Sequence, residues 1–458
     1  MMASGRCILF ISIVVAIVLF YTSWYPCSFH DHDYELGLER AYTWCMETVK
    51  DFIFQDSIVI ADVHVALVST KTFDVDSYSA KGDGKKDDTK AFKKAWKEAC
   101  SSNKAAVFSV PKNKKYLVTP IQFKGPCKAS LTMQISGTIL ASTQQSKYKK
   151  DERHWLRVDE VDNLQIEGGG VIDGNGAIWW KNSCKVDKDR PCKDAPTALT
   201  LHKCTTLVVN NLKVQNAQQI HVSFDTCENV QASNLTVIAP EDSPNTDGIH
   251  VTRTQNIKIF DSVVGTGDDC ISIVNGSKNV QAVGITCGPG HGISIGSLGS
   301  KKAEAHVSDV MVDGAYFTGT TNGVRIKTWQ GGSGDASNIT FQNIDMTNVT
   351  NPIIIDQNYC DQDEPCKEQA SAVEIKNVVY QNITGTSAEE DAVIFKCSKK
   401  YPCQGVVLQE INLTQEGGGD AKAICNNVDL TYIGTVIPRC PNNIVQINEH
   451  LKHIVTID

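Results

Sequence analysis

Apolar residues in the second half of the chain come in short β-branched runs cut by Asn or Gly, with almost no helical periodicity. Leu207-Val208-Val209-Asn210-Asn211-Leu212 returns as Val230-Gln231-Ala232-Ser233-Asn234-Leu235. Comparable units begin at Asn256-Ile257, Asn279-Val280, Asp309-Val310 and Asn338-Ile339, with later copies near Ala372 and Gly405. Steps of 23 to 34 residues with variable loops predict an all-β parallel β-helix, in which each coil buries its apolar face only by stacking on its neighbours. The recurring Asn suits the turns, because Asn tolerates the left-handed region. Ahead of the repeat, Asp88-Thr89 predicts the start of a helix with Ala91, Ala95, Trp96 and Ala99 on one face. A single short helix in that position suits a cap over the open end of the coils. Gly82-Asp83-Gly84-Lys85 reads as a turn, its spacing being wrong for a phosphate loop.

The repeat carries chemistry at a fixed step. Asp247, Asp269 and His291 follow one another at intervals of 22 residues, each in a short Gly-bearing motif: Asn245-Thr246-Asp247-Gly248, Gly267-Asp268-Asp269-Cys270 and Gly290-His291-Gly292. That step is about one coil, so equivalent positions would stack at the strand spacing of about 4.8 Å. Arg325-Ile326-Lys327 then places two cations on one strand face at i and i+2. Three carboxylates, an imidazole and two cations brought together are the equipment for acid/base hydrolysis of an anionic sugar polymer. A two-sheet sandwich, the competing all-β fold, gives no reason for functional residues to recur at a coil-length step.

Composition narrows the setting. The 458 residues are 41% hydrophobic and 21% charged, enough for a substantial core, and the formal charge of −8 with no basic stripe argues against a nucleic-acid partner. Ile8 to Tyr21 is a mostly apolar run after Arg6, which reads as a secretory signal over residues 1–27; a signal anchor flanked by Trp24 and Tyr25 is the competing reading. Residues 28–70 carry no repeat and remain an unassigned N-terminal segment or propeptide, 71–441 form the expected catalytic unit, and 442–458 a C-terminal tail. Cysteine usage agrees with export. Fourteen of the 17 lie from Cys100 onward, and the close pairs Cys184/Cys192, Cys360/Cys366 and Cys397/Cys403 suggest disulfide clips, with Cys270/Cys287 a further candidate beside the site. Six N-x-S/T sequons, at Asn234, Asn275, Asn338, Asn348, Asn382 and Asn412, are candidate glycan acceptors.

Four segments carry a family resemblance: Ser243-Pro244-Asn245-Thr246-Asp247-Gly248, Gly265-Thr266-Gly267-Asp268-Asp269-Cys270, Gly288 through Ser297 around His291, and Arg325-Ile326-Lys327-Thr328. In these the chain resembles the polygalacturonases, glycoside hydrolase family 28, and the strings around Trp179-Trp180 and Gln215-Asn216-Ala217-Gln218-Gln219 look like plant members. The resemblance implies a right-handed parallel β-helix that hydrolyses α-1,4-linked galacturonan with inversion. No metal or cofactor is expected, since the candidate residues already offer an acid, a base and two fixed cations. The resemblance also implies that Asp268 protonates the leaving oxygen and that Asp247 and Asp269 activate water. It further implies that His291 supports the acid, that Arg325 and Lys327 hold a substrate carboxylate, and that Tyr359 shapes the site, with Asn245 a further substrate contact. Closeness of the Gly290–Gly299 and Trp179–Cys192 strings to endo-acting plant members favours cleavage within the chain, exo action being the alternative.

Three points of chemistry follow from the placement of the residues. Crowding three carboxyl groups raises the affinity of one for a proton, which a reaction needing one acid and one base requires. Alternation along a strand would send Asp268 and Asp269 to opposite faces, so a bend at Gly267 is expected. Stacked coils place carboxyls near the ~5 Å usually associated with retention, against roughly 6.5–9.5 Å for inversion, and here the resemblance decides. Competing functions are a β-helix pectate lyase, which would need a calcium cage, and a non-catalytic wall-binding protein, which would have lost an acid. The expected partner is polygalacturonate, met outside the cell by a monomer with no stable membrane association.

Overall fold

The computed structural model describes residues 70–361, 366–367 and 369–441. The assignments for 1–27, 28–70 and 442–458 therefore lie outside the described residues, apart from Thr70. The β-branched runs form strands that stack in parallel, coil on coil. Leu207, Val230, Ile257, Val280, Val310, Ile339, Val378, Val406 and Leu430 lie in one unbroken register. Each is at most 5% exposed. Burying such a side chain contributes about 1.5–3 kcal/mol, so every coil depends on the next for most of its stability. The interval between Ile339 and Val378 exceeds the expected steps because a disulfide-bearing loop at Cys360–Cys366 is inserted there.

Asn residues at the coil corners adopt positive φ, among them Asn229 (57°), Asn256 (56°), Asn279 (52°) and Asn338 (56°). Their amides also bond from coil to coil, Asn279 to Asn256 and Asn256 to Asn229. Asn as turn chemistry and the repeat it marks thus share one cause.

Helix α1 (Thr89–Cys100) closes one end, burying Ala91, Phe92, Ala95, Trp96 and Ala99. Trp96 donates to the Lys124 carbonyl and packs edge-on against Phe108 and Phe123. A disulfide from Cys100 to Cys127 fixes its last turn. The expected turn at Gly82–Lys85 is present: Gly82 and Gly84 have φ of 60° and 70°, and Asp83 Oδ1 accepts from the N–H groups of Lys85 and Lys86, so the strand Asp83–Asp87 pairs irregularly with Lys115–Val118. Asp88 ties the two, accepting from the N–H groups of Lys81 and Gly82.

All strands of the smaller sheet run parallel, and seven of them carry or flank the chemistry: β1 (Thr197–His202), β2 (Val222–Asp225), β3 (Ile249–Thr252), β4 (Ile271–Ile273), β5 (Ile293–Leu298), β6 (Asn322–Trp329) and β7 (Asn351–Tyr359). They are adjacent in that order. A second short helix, α2 (Ala177–Lys181), precedes β1. The expected clips Cys184–Cys192, Cys270–Cys287, Cys360–Cys366 and Cys397–Cys403 are formed, and Cys425–Cys440 closes the far end. Cys204 and Cys227 stay as buried free thiols although the count is even. They sit in successive coils as small core residues. No helix among the described residues is long and apolar enough to cross a membrane.

Candidate active site

Register shows the 22-residue step to be a geometric one. Ile249, Ile271 and Ile293 are paired across β3, β4 and β5, so Asp247, Asp269 and His291, each two residues earlier, stack at the start of successive strands. Asp268 and Asp269 occupy the turn before β4, not the strand itself, and so escape the alternation that would have separated them. Gly267 allows this turn by close approach: a Cβ there would lie 2.0 Å from the Ser243 carbonyl oxygen. The Asp269 N–H bonds the Asp268 Oδ1 at 2.8 Å, and the His291 N–H bonds the Asp268 carbonyl at 2.8 Å.

The three carboxylates have distinct surroundings. Asp269 is 2% exposed: Oδ1 accepts from Ser294 Oγ (2.8 Å) and Arg325 Nη2 (2.6 Å), and Oδ2 from Lys327 Nζ (2.9 Å), which leaves Oδ2 a further acceptor site. Asp268 Oδ1 lies 3.0 Å from His291 Nδ1, and its Oδ2 accepts from the Asn245 amide at 3.3 Å. Burial works against its charge, but the His291 bond and the charges of His291 and Lys327 outweigh burial and hold its carboxyl below the usual range. His291 is correspondingly pushed up, chiefly by its bond to Asp268. Asp247 is pushed up by burial, by Asp268 and then by Asp269, with His250 opposing. Ser272 Oγ donates to Asp247 Oδ2 at 2.7 Å, and His250 Nδ1 lies 2.7 Å from that hydroxyl.

Two bonded groups meet here: Asn245, Asp268 and His291 with Asp269, Ser294, Arg325 and Lys327, and beside them Asp247 with Ser272 and His250, joined to the first through the Gly248 N–H to Asp269 carbonyl bond. Of the sequence-predicted residues, only Tyr359 stands outside both. Tyr359, at the end of β7, has its ring 5.5 Å from Lys327 Nζ and edge-on to Trp329. Arg325 also donates from Nε to Ser294, so among the described residues its Nη1 is without a partner. Both cations face Asp269 first and have donors to spare.

Ser272, Ser294 and His250 are not among the candidates read from the sequence. Their signal is present all the same: His250, Ser272 and Ser294 are themselves 22 residues apart and form one outward row ending at Arg325. His221 is fully buried, with burial pushing its imidazole down to about 4. Its Nδ1 lies 3.1 Å from the Asp247 carbonyl, and its Nε2 accepts from the Ala217 N–H at 3.3 Å, so a neutral ring fixes the backbone of Asp247. Ligand atoms of Asp268, Asp269 and His291 converge within 4.8 Å, the donor set of a possible cation site. Both Asp269 oxygens already face Arg325 and Lys327, however, and a cation there would meet two positive charges at close range.

Comparison with known proteins agrees with this arrangement. Residues 100–436 match the family described as glycosyl hydrolases family 28. A polygalacturonase of Malus domestica is 63% identical over 372 residues, covering 81% of this chain and 79% of that protein. Polygalacturonase-2 of Solanum lycopersicum is 56% identical over 383 residues, 84% of each chain. Among solved structures, a polygalacturonase from Erwinia carotovora superposes with a TM-score of 0.64 at 23% identity, covering 76% of this chain and 94% of that one. Endopolygalacturonase I from Stereum purpureum gives 0.59 at 19% identity over 75% and 98%. These two show the right-handed parallel β-helix fold.

Proposed function

The chain belongs to glycosyl hydrolases family 28 and hydrolyses polygalacturonate; on that premise we propose that Asp268 is its general acid and that Asp247 and Asp269 direct the attacking water. The observation that carries the assignment is the unequal treatment of adjacent carboxyls: Asp269 is bonded to two cations and Ser294, whereas Asp268 is bonded to His291 and Asn245. Asp268 and His291 hold one proton between them. Delivery to the glycosidic oxygen draws on that pair, and the water is oriented by Asp247 and Asp269 across the scissile bond, with inversion. In the free protein Asp247 competes for the proton. A substrate carboxylate beside Lys327 would cancel part of the positive field now depressing Asp268, and so move the proton toward the leaving group as substrate arrives.

This pairing fixes the sign of the pH dependence. The His291–Asp268 pair is complete below the ordinary imidazole value and is lost as pH rises through the elevated one. The alkaline limb of kcat/KM therefore reports departure of the pair's proton, and His291→Gln should shift that limb to lower pH, as a pH–rate profile of both proteins would read. A limb that stays in place in His291→Gln removes the pair from the acid role.

We assign Arg325 and Lys327 to the galacturonate carboxylate through the donors that Asp269 leaves free. Methyl esterification removes the negative charge, so kcat/KM should fall as the ester content of pectin rises. Lys327→Gln should lose a larger factor on low-ester than on high-ester pectin, the common part of the loss reflecting its bond to Asp269. Equal loss on both would leave the cations with a purely structural task.

The acids lie on an outer sheet face with coils on either side, which supports endo cleavage; the substrate being wall pectin, the chain is read as a secreted protein. All six sequon asparagines are exposed, which suits glycosylation. Purified protein on polygalacturonate, followed by viscosity and reducing ends together, tests the reading. An early fall in viscosity with few ends supports it; free monogalacturonate from the start with viscosity preserved makes the action exo.

A further inference from the structure

We propose that the exposed face of α1 is a second binding surface for de-esterified galacturonan, which holds the protein on acidic stretches of the polymer away from the bond being cut. The choice of polymer rests on the polygalacturonate reading; the surface itself rests on charge. Residues 81–128 hold thirteen lysines and no arginine against four acids, Asp83, Asp87, Asp88 and Glu98. The whole chain has 44 basic residues against 52 acidic, so this local surplus is hidden in a net charge of −8. The expectation of no basic stripe, drawn from the whole chain, therefore fails at the cap.

Helix spacing turns part of the surplus into a stripe. Lys90, Lys93, Lys94 and Lys97 recur at i, i+3, i+4 and i+7, opposite the buried Ala91, Phe92, Ala95, Trp96 and Ala99, and all four are exposed. They run about 10 Å along the helix. Lys128, also exposed, stands at the end of the stripe, its N–H bonded to the Cys100 carbonyl at 3.0 Å. Lys85 and Lys86 lie exposed in the strand just before α1. Glu98, the one acid on α1, already accepts from the Tyr78 hydroxyl at 2.7 Å. Ion pairs in this segment engage Lys114 with Asp76 and Lys124 with Glu160, and neither lysine is on the stripe.

The fold gains nothing from this arrangement. Lysines three and four apart on one helix face repel, and a face made for solubility alone intersperses both signs. The helix is held instead by its buried aromatics and by the Cys100–Cys127 disulfide. Phe92 and Trp96 being buried, the exposed face offers no aromatic ring for a nucleic-acid base to stack on and no large apolar side chain to enter a membrane. What remains is attraction to a polyanion, and polygalacturonate is the polyanion this protein acts on. The cap packs on Ile121–Lys124, the edge strand of the smaller sheet, four strand spacings from β3. Across about 19 Å, a short oligomer in the cleft does not reach the cap, whereas a long chain can occupy both.

The test separates the cap from the cleft. Binding to long polygalacturonate is measured on Asp268→Asn protein, which leaves the polymer uncut, with the cleft filled by an excess of the shortest oligomer that wild type cuts. Lys93→Gln/Lys97→Gln in that background should weaken binding roughly two- to thirtyfold, as expected of two exposed ion pairs. Lys93→Arg/Lys97→Arg should bind like the parent. So should Lys258→Gln/Lys278→Gln, equal in net charge but placed on the larger sheet several coils from α1. Rising salt should erase the difference. In the cutting enzyme, Lys93→Gln/Lys97→Gln should leave kcat/KM on the shortest oligomer and the melting temperature unchanged. Unweakened polymer binding by Lys93→Gln/Lys97→Gln, or an equal loss in Lys258→Gln/Lys278→Gln, overturns the surface. An equal loss on fully methyl-esterified pectin, or a loss seen only on duplex DNA or anionic vesicles, overturns the choice of partner. Wild type that cuts no polygalacturonate would instead remove the reading from which the polymer was chosen.

Discussion

Asp268→Asn should lower turnover on polygalacturonate by about 10²–10⁴-fold, the usual contribution of a positioned general acid, with little change in melting temperature. The amide keeps the shape of the carboxyl and an oxygen able to accept from the Asp269 N–H, so the turn before β4 is retained. What it removes is the proton-carrying partner of His291. The His291–Asp268 contact is partly open to solvent, with 39% of the imidazole side chain exposed, so its loss costs little stability. Matched measurements of kcat and melting temperature separate the two effects. A correctly folded Asp268→Asn enzyme with near-normal turnover would take Asp268 out of the proton transfer and leave Asp247, the carboxyl pushed upward by burial, as the group to examine.

Much of this site is legible in the sequence because the β-helix converts sequence interval into position. A 22-residue step becomes a stack at the start of β3, β4 and β5, and the apolar runs become buried ladders, since both follow from strand pairing with one coil period. The limits of that legibility have physical causes too. The bend expected at Gly267 is a turn ahead of β4 that holds both Asp268 and Asp269, but its cause, the close approach of Gly267 to the Ser243 carbonyl, is not written in any interval. Partners of the two cations depend on side-chain reach across coils, which no interval encodes; Arg325 and Lys327 face Asp269 from residues more than fifty positions away. The serines at 272 and 294 do have an interval, but hydroxyls are common on sheet faces and carry no charge to draw notice. An even count of thiols does not fix their pairing, and Cys204 and Cys227 remain free in the core. The link from Lys185 to Asp361 joins two loops, and loops follow no repeat.

Asp269→Asn should differ from Asp268→Asn by damaging stability together with activity. Asp269 is 2% exposed and lies against Arg325 and Lys327, whose side chains are 14% and 9% exposed. Removing its charge leaves two largely buried cations facing a neutral amide, and the amide cannot accept on both oxygens as the carboxylate does. Breaking a buried pair by deleting one partner typically costs about 3–5 kcal/mol, most of it the penalty of the charge left behind. In a fold where each coil stabilises the next, that cost falls on β4, β5 and β6 together. The expected result is a clear drop in the denaturant midpoint, partly recovered in Asp269→Asn/Lys327→Met, where one stranded cation is gone but the base is still missing. Activity should stay low in both. If Asp269→Asn melts with wild type, the cations do not depend on Asp269 for compensation, and their readiness to receive a substrate carboxylate would need another source. If the double variant regains turnover, Asp269 serves only to hold the cations, and Asp247 alone directs the water.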